Sequence, residues 1–327
     1  MGRVVIAPEP GGPEALVFVE RPAPRPGPGE LAVRVRATAV NRADVLQRRG
    51  FYPPPPGASD VLGLELAGEV TAVGDRVSGW SVGDELCAVV PSGGYAEEAV
   101  VPAEVALPLP PGLDAVSAAA VPEVFTTAFD NLVNRARLAP GETVLVHGGA
   151  GGVGSAAIQL AKRLGCTVLA TAGSPEKADA CVGLGADAAI HYGEEDFAER
   201  VRELTGGRGA DVVLDVMGAA YLARNLDALA MEGRLAVIGL QGGVMGELNL
   251  GLLLAKRLTV LGSTLRPRTV EERAPLTAQL VAQVWPGFAD GSLRPVIDRI
   301  LPLEQAAEAH ALMEAGELIG KVVLRVS

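Results

Sequence analysis

Thr143-Val144-Leu145-Val146-His147-Gly148-Gly149-Ala150-Gly151-Gly152-Val153-Gly154 is the stretch that decides the fold. The apolar half reads as a buried parallel strand, and the glycine-rich half reads as the tight turn that leads from it into a helix. In this reading Gly149 makes the turn without a Cβ penalty, Gly151 lets backbone N–H groups approach a pyrophosphate, and Gly154 lets the helix pack closely. The spacing predicts that helix over Ser155–Leu164, with Ile158, Ala161 and Leu164 on one face and Gly165 as its stop. Unbonded N–H groups and the positive end of the helix dipole make its start, at Ala150, Gly151, Gly152 and Val153, a phosphate site. A bare G-x-G-x-x-G is weak in a chain with 41 glycines. A second strand, Thr167–Thr171, follows at βαβ spacing and supplies the context that a chance match lacks. A Walker-type loop is excluded, because Ser155 follows Gly154 and no Lys-Ser/Thr pair comes after it.

The end of the second strand indicates which dinucleotide. Ala170-Thr171-Ala172-Gly173-Ser174 carries no acid where a site for an unphosphorylated ribose usually places one. A 2′-phosphate there meets Gly173, the hydroxyl of Ser174, the start of a helix at Ser174-Pro175-Glu176 and the ammonium of Lys177. The implied cofactor is NADPH. A plainer reading stays open, with Ser174 as an N-cap only and Lys177 as a solvated surface lysine.

Around this core the chain changes texture. Strands expected at Ala188–Ile190, Asp211–Val216, Arg234–Gly239 and Leu258–Gly262 alternate with helices, which makes a doubly wound parallel sheet. Before it, strands such as Leu31–Val40 and Leu66–Val73 are punctuated by Pro and Gly and read as a compact β-rich domain. The tail from Leu293 offers a helix around Leu303–Ala315 and a strand over Gly320–Leu324, too little to bury its own core, so it is expected to return to the first domain. The expected division is 1–125, 126–265 and 266–327, in an α/β protein. A hydrophobic content of 49% in 327 residues suffices for two cores. No apolar run has the length of a membrane span, and Met1–Pro8 is too short for a signal peptide, so a cytoplasmic location is expected. A net charge of −11 argues against nucleic acid or anionic membrane as partner. Cys87, Cys166 and Cys181 are odd in number and lack metal-type spacing, which fits a reducing compartment.

Particular phrases narrow the reading: Asn41-Arg42-Ala43-Asp44, Gly50 to Pro55, Gly63-Leu64-Glu65-Leu66-Ala67-Gly68, Gly74-Asp75-Arg76-Val77, Val82-Gly83-Asp84 and Ala150 to Gly154. With them, essentially the whole chain resembles the zinc-free quinone oxidoreductase branch of the medium-chain dehydrogenase/reductase superfamily. Asn41 to Tyr52, and Pro55, Gly57, Ala58 and Ser59, are most similar to its tumour-suppressor-inducible members. The resemblance implies a GroES-like catalytic domain joined to a Rossmann domain. Where zinc enzymes of the superfamily carry their first cysteine ligand this chain has Asn41, and in place of Gly-His-Glu it has Gly63-Leu64-Glu65, so no metal is expected. His147, His191 and His310 are dispersed and read as structural or surface residues. Without a Lewis acid an unactivated alcohol is a poor substrate. The implied partner is a quinone or related small-molecule acceptor, with conjugated enones as the nearest competitor. A crystallin-like NADPH-binding protein is the reading from another class, since fold does not settle function.

The resemblance also implies site residues. Asn41 and Tyr52 become donors to a developing oxyanion, against plainer roles as a turn-forming Asn and a Tyr covering an apolar edge. Thr127 lies near the nicotinamide, or else caps a helix. Tyr192 joins Lys177 at the 2′-phosphate, and Lys321 is a further cofactor contact. Gly239 and Leu240, and Ser263 and Leu265, follow strand ends and so meet the carboxyl edge of the sheet. Leu258–Ser263 is an apolar edge strand that calls for cover, which the family supplies by pairing it with its two-fold mate. A homodimer centred on Val260 is expected, the rival being that Arg266 to Thr269 folds over the edge of a monomer.

Overall fold

Seven short strands occupy the first part of the chain: β1 (Gly2–Ile6), β2 (Val17–Arg21), β3 (Glu30–Ala39), β4 (Glu65–Val73), β5 (Glu85–Val89), β6 (Glu98–Pro102) and β7 (Ala106–Pro108). Six more follow the glycine stretch or lead into it: β8 (Thr143–Val146), β9 (Thr167–Ala172), β10 (Ala188–His191), β11 (Ala210–Asp215), β12 (Leu229–Val237) and β13 (Thr259–Gly262). The last two are β14 (Ile297–Pro302) and β15 (Lys321–Arg325). The structure is a computed structural model that describes residues 1–326.

The chain divides into two units, one of Met1–Thr126 with the chain from Leu265 onward, the other of Thr127–Thr264. In the first, a sheet runs in the order β14-β15-β3-β4-β5-β7, with β6 also on β3. The tail does return, since β15 pairs antiparallel with β3 through Val323–Ala39, Leu324–Thr38 and Arg325–Ala37. Alternating residues of β3 and β4, among them Val33, Val35, Leu66 and Val70, fill the core together with Leu86, Val322 and Leu324. Among the elements that the sequence reading did not name, two stand out. One is β14, and the other is the helix Val270–Gln283, which Thr269 and Glu272 open with a reciprocal capping box.

The second unit is a six-stranded parallel sheet in the order β10-β9-β8-β11-β12-β13. That order, with the reversal between β8 and β11, is the doubly wound dinucleotide-binding topology, whose ligands sit beyond the carboxyl ends of the strands at the reversal. Leu145, Leu169, Val213 and Leu235 alternate inward to make its core with Phe197 and Leu226. The helix after β8 begins at Gly152, a turn earlier than the sequence spacing predicts, with Gly151 as its N-cap. β12 begins at Leu229 rather than Arg234.

Candidate active site

The glycine turn is built differently from the roles first given to its members. Gly148, at φ +65°, takes the left-handed conformation, so it and not Gly149 makes the turn. Gly149 is a packing glycine, because a Cβ there would lie 2.7 Å from Cys181 Sγ and 2.8 Å from Ala170 Cβ. Gly154 is the tightest position: its Cβ would lie 2.7 Å from Gly149 Cα and closer still to Gly148 O, both backbone. The first bond of the helix runs from Ser155 N to Gly151 O at 2.8 Å. The amides of Gly152 and Val153 precede it and have no carbonyl one turn back in the helix to bond, which leaves them for an anion.

At the ends of β9 and β10 the expected phosphate residues come together. Tyr192 lies over Gly173, where a Cβ would meet its Cζ at 3.0 Å, so glycine is what lets the phenol rest there. Ser174 caps the helix Pro175–Gly183 by accepting from Lys177 N at 3.3 Å, and that bond places Lys177 on the first turn. The Ser174 hydroxyl also donates to the exposed carboxylate of Glu176 on the same turn, which holds that carboxyl below its ordinary pKa. No carboxylate stands between Ala170 and Ser174.

A buried network behind the turn holds the strand ends in register. His147 is buried and kept neutral, its pKa lowered to about 4 by burial. Its Nε2 donates to Asn225 Oδ1 at 2.7 Å and its Nδ1 takes the Thr171 hydroxyl at 3.1 Å, while Gly148 N donates to Thr171 Oγ1 at 3.2 Å. Asp215 receives Met217 N at 2.7 Å and Gly218 N at 3.0 Å, which ties down the loop after β11. Gly239 follows β12 where a Cβ would lie 2.7 Å from Val216 O, and Leu240 beside it is exposed. Thr127 sits within the helix Pro122–Phe129, not at its cap, and its carbonyl receives Asn131 Nδ2 at 2.9 Å. Asn131 Oδ1 receives the Ser263 hydroxyl at 2.7 Å. Asn131 was not legible as a site residue, since only the fold sets it between Thr127 and Ser263.

In the first unit Asn41 is found in a buried polar ensemble, but not with free donors. Its Nδ2 donates to Glu65 Oε1 at 2.8 Å and to Ala39 O at 3.2 Å, and its Oδ1 receives Lys321 Nζ. An oxyanion at Asn41 would have to compete with these acceptors, because both amide hydrogens are engaged. Lys321, the expected cofactor contact, is likewise engaged within the unit. Its ammonium lies among Glu65 Oε1 at 2.8 Å, Val40 O at 2.8 Å and Asn41 Oδ1, so all three protons have internal acceptors and none is left for a cofactor. Leu265 is buried in this unit and lines a cavity with Val89, Leu107, Thr126 and Arg273. Tyr52 keeps its hydroxyl free, because Arg266 packs 5.0 Å from the ring centroid and donates to the Tyr52 backbone carbonyl at 2.8 Å instead. Arg266 also holds Pro91 O at 2.6 Å and Gln47 Oε1, which stiffens the loop that carries Tyr52. Burial raises the Tyr52 phenol above its ordinary pKa. The sequence reading also passed over the carboxyl of Glu123, which is half-buried and feels the charge of Glu65.

Residues 152–282 match the family model described as zinc-binding dehydrogenase, and residues 27–111 match the alcohol dehydrogenase GroES-like domain. Among curated relatives the chain is 34% identical to a quinone oxidoreductase of Rattus norvegicus over 317 residues, covering 96% of this chain and 94% of the relative. It is 39% identical over 310 residues to the phthioceranic/hydroxyphthioceranic acid synthase of Mycobacterium tuberculosis, covering 92% of this chain but spanning only 14% of that protein. Among solved structures, Escherichia coli quinone oxidoreductase complexed with NADPH superposes with a TM-score of 0.89 at 31% identity, covering 99% of this chain and 100% of that one.

Proposed function

The chain belongs to the medium-chain dehydrogenase/reductase superfamily, and on that footing we propose that it is an NADPH-dependent quinone oxidoreductase of the zinc-free branch. The observation that carries this reading is the end of β9, where no acid stands from Ala170 to Ser174, Tyr192 rests over Gly173, and the Ser174 cap sets Lys177 on the first turn of the next helix. NADPH is also the ligand of the similar Escherichia coli enzyme. When bound, the dihydronicotinamide supplies a hydride to an acceptor such as a quinone, whose reduced form is aromatic and delocalises its own charge. The amides of Gly152 and Val153 hold the pyrophosphate at the helix start. Ser174, Lys177 and Tyr192 hold the 2′-phosphate through charge-assisted hydrogen bonds. Asn131 and Ser263 fix the backbone at the carboxyl edge, with Thr127 and Gly239.

Metal-free chemistry is supported by what replaces the ligands. The Lys321 ammonium already neutralises Glu65, and a divalent cation at Asn41 would be placed beside that fixed positive charge. The three cysteines are buried and unbridged, which suits the reducing cytoplasm.

Replacing Lys177 with alanine is expected to weaken NADPH by about 1 to 2 kcal/mol and leave NADH nearly unchanged. Titration of both cofactors checks this, and equal weakening of the two would refute the assignment. The acceptor is decided by ranking para-quinones, ortho-quinones and enones by kcat/KM. Quinones are expected first, and a clear preference for enones would reassign the chain as an enone reductase.

We also propose a homodimer. β13 is an edge strand with Val260 40% exposed, and the exposed apolar side chains of Leu240, Val244, Met245, Leu250 and Leu254 belong to the same stretch. A second copy pairing at this edge would cover them. The rival cover is weakened, because the Arg266 side chain is committed to Tyr52, Pro91 and Gln47. Val260→Pro should convert a dimer to a monomer in light scattering, while a monomeric wild type or a dimeric folded variant would count against edge pairing.

A further inference from the structure

Asn41, Glu65 and Lys321 satisfy one another, but the carboxyl of Glu123 does not share in that network. Its backbone N–H donates to Glu65 Oε2 at 2.9 Å, which pins the first turn of the helix Pro122–Phe129. The half-buried carboxyl itself makes no hydrogen bond among the described residues. Charged and titratable groups face it from every side: Glu65 on β4, Lys321 on β15, Asp44 on the helix Arg42–Arg48, Arg273 on the helix Val270–Gln283, and Tyr52 with Arg266. One turn further along, Thr126 lines an apolar cavity with Leu265 and Arg273. Arg273 is only 8% exposed, and its Nε is buried there without a partner. Within one unit the Glu123 carboxyl thus lies in the electrostatic reach of a free phenol, that of Tyr52, and of Arg273, whose side chain with its orphan N–H lines the apolar cavity.

We propose that Glu123 is the acid that delivers a proton to the oxygen of the reduced acceptor, bound against Tyr52 and the cavity that Thr126 and Arg273 line. This rests on the reductase reading above. The hydride brings two electrons to the acceptor and leaves one oxygen negatively charged. The O–H bond of Glu123 breaks, a new O–H bond forms on that oxygen, and the carboxylate left behind recovers a proton from water through its exposed side. One NADPH and one proton are consumed for each acceptor reduced. The positive charge of Arg273 offsets the negative charge that Glu123 carries between the two steps. The protonation state is suitable, because burial first, and then the charge of Glu65, raise the Glu123 carboxyl to about 8. Its folded pKa lies above that of a solvated carboxyl, so the donor is present at neutral pH and is lost as pH rises through about 8.

Glu123→Gln keeps the shape and removes the transferable proton. The expected result is a fall in kcat with quinone of about 100-fold, the size of a general-acid contribution, and loss of the alkaline fall of the wild-type profile. Its NADPH affinity should stay unchanged. Glu123→Asp retains an acid, so it should recover part of the rate and keep an alkaline limb. Independently of turnover, the infrared difference between wild type and Glu123→Gln should show a protonated carboxyl at neutral pH that ionises near 8. A Glu123→Gln enzyme with wild-type kcat and the same alkaline fall, or an infrared difference with Glu123 ionised at neutral pH, overturns the inference and leaves the reductase reading standing. A folded wild type that binds NADPH but oxidises it no faster with an acceptor than without one overturns both.

Discussion

Replacing Lys321 with methionine is expected to destabilise the protein by about 3 to 5 kcal/mol, the cost of leaving a buried charge without its partner. Glu65 is wholly buried and Lys321 is 3% exposed, so water cannot take the place of the lost ammonium. The amide of Asn41 would still donate to Glu65 Oε1, and the backbone N–H of Glu123 to Oε2, but neither carries a full charge. Urea unfolding of wild type and variant measures the loss. A double-mutant cycle with Glu65→Gln sharpens it, because removing both charges should recover much of what removing one forfeits. Were Lys321 a cofactor contact, as first expected from the sequence, the variant would fold with unchanged stability and bind NADPH weakly. The two outcomes do not overlap.

Gly154→Ala is expected to damage the dinucleotide site. The new methyl would be forced against Gly148 O and to 2.7 Å from Gly149 Cα, and neither is a side chain that can swing aside. Overpacking of this kind costs about 1 to 3 kcal/mol. Directed wholly at displacing the loop that receives the pyrophosphate, it weakens NADPH by about 5-fold to 150-fold. NADH should be weakened equally, since both share the pyrophosphate, which distinguishes this variant from Lys177→Ala. Wild-type affinity for both cofactors in Gly154→Ala would mean that the turn is not where the dinucleotide binds.

The sequence carried the second unit better than the first, and the reason is the range of the interactions. A glycine turn between a strand and a helix is local, so the site at Gly151, Gly152 and Val153 could be read from a dozen residues. The roles within the turn could not, because Gly149 is fixed by Cys181 and Ala170, far away along the chain. The early start of β12 was hidden by Glu232, a non-glycine residue at φ +61°, and by a register shift between Ala210 and Val212 of β11. Pro275, inside the helix Val270–Gln283, masked a segment whose capping box was otherwise legible at Thr269 and Glu272. The polar ensemble of the first unit was the least readable part. Asn41, Glu65, Glu123 and Lys321 are distant in sequence, and only the return of β15 to β3 brings the ammonium against the carboxylate. Resemblance pointed to Asn41, yet which of these groups keeps a free proton is a property of the packed structure.

Steady-state loss of dihydronicotinamide absorbance, followed with a para-quinone and NADPH in the presence of a strong chelator, tests the central claim most directly. The account predicts turnover that depends on the quinone, is undiminished by the chelator, and falls sharply when NADH replaces NADPH at the same concentration. Activity that is lost with the metal, or the absence of quinone-dependent oxidation in a folded protein that binds NADPH, would contradict it.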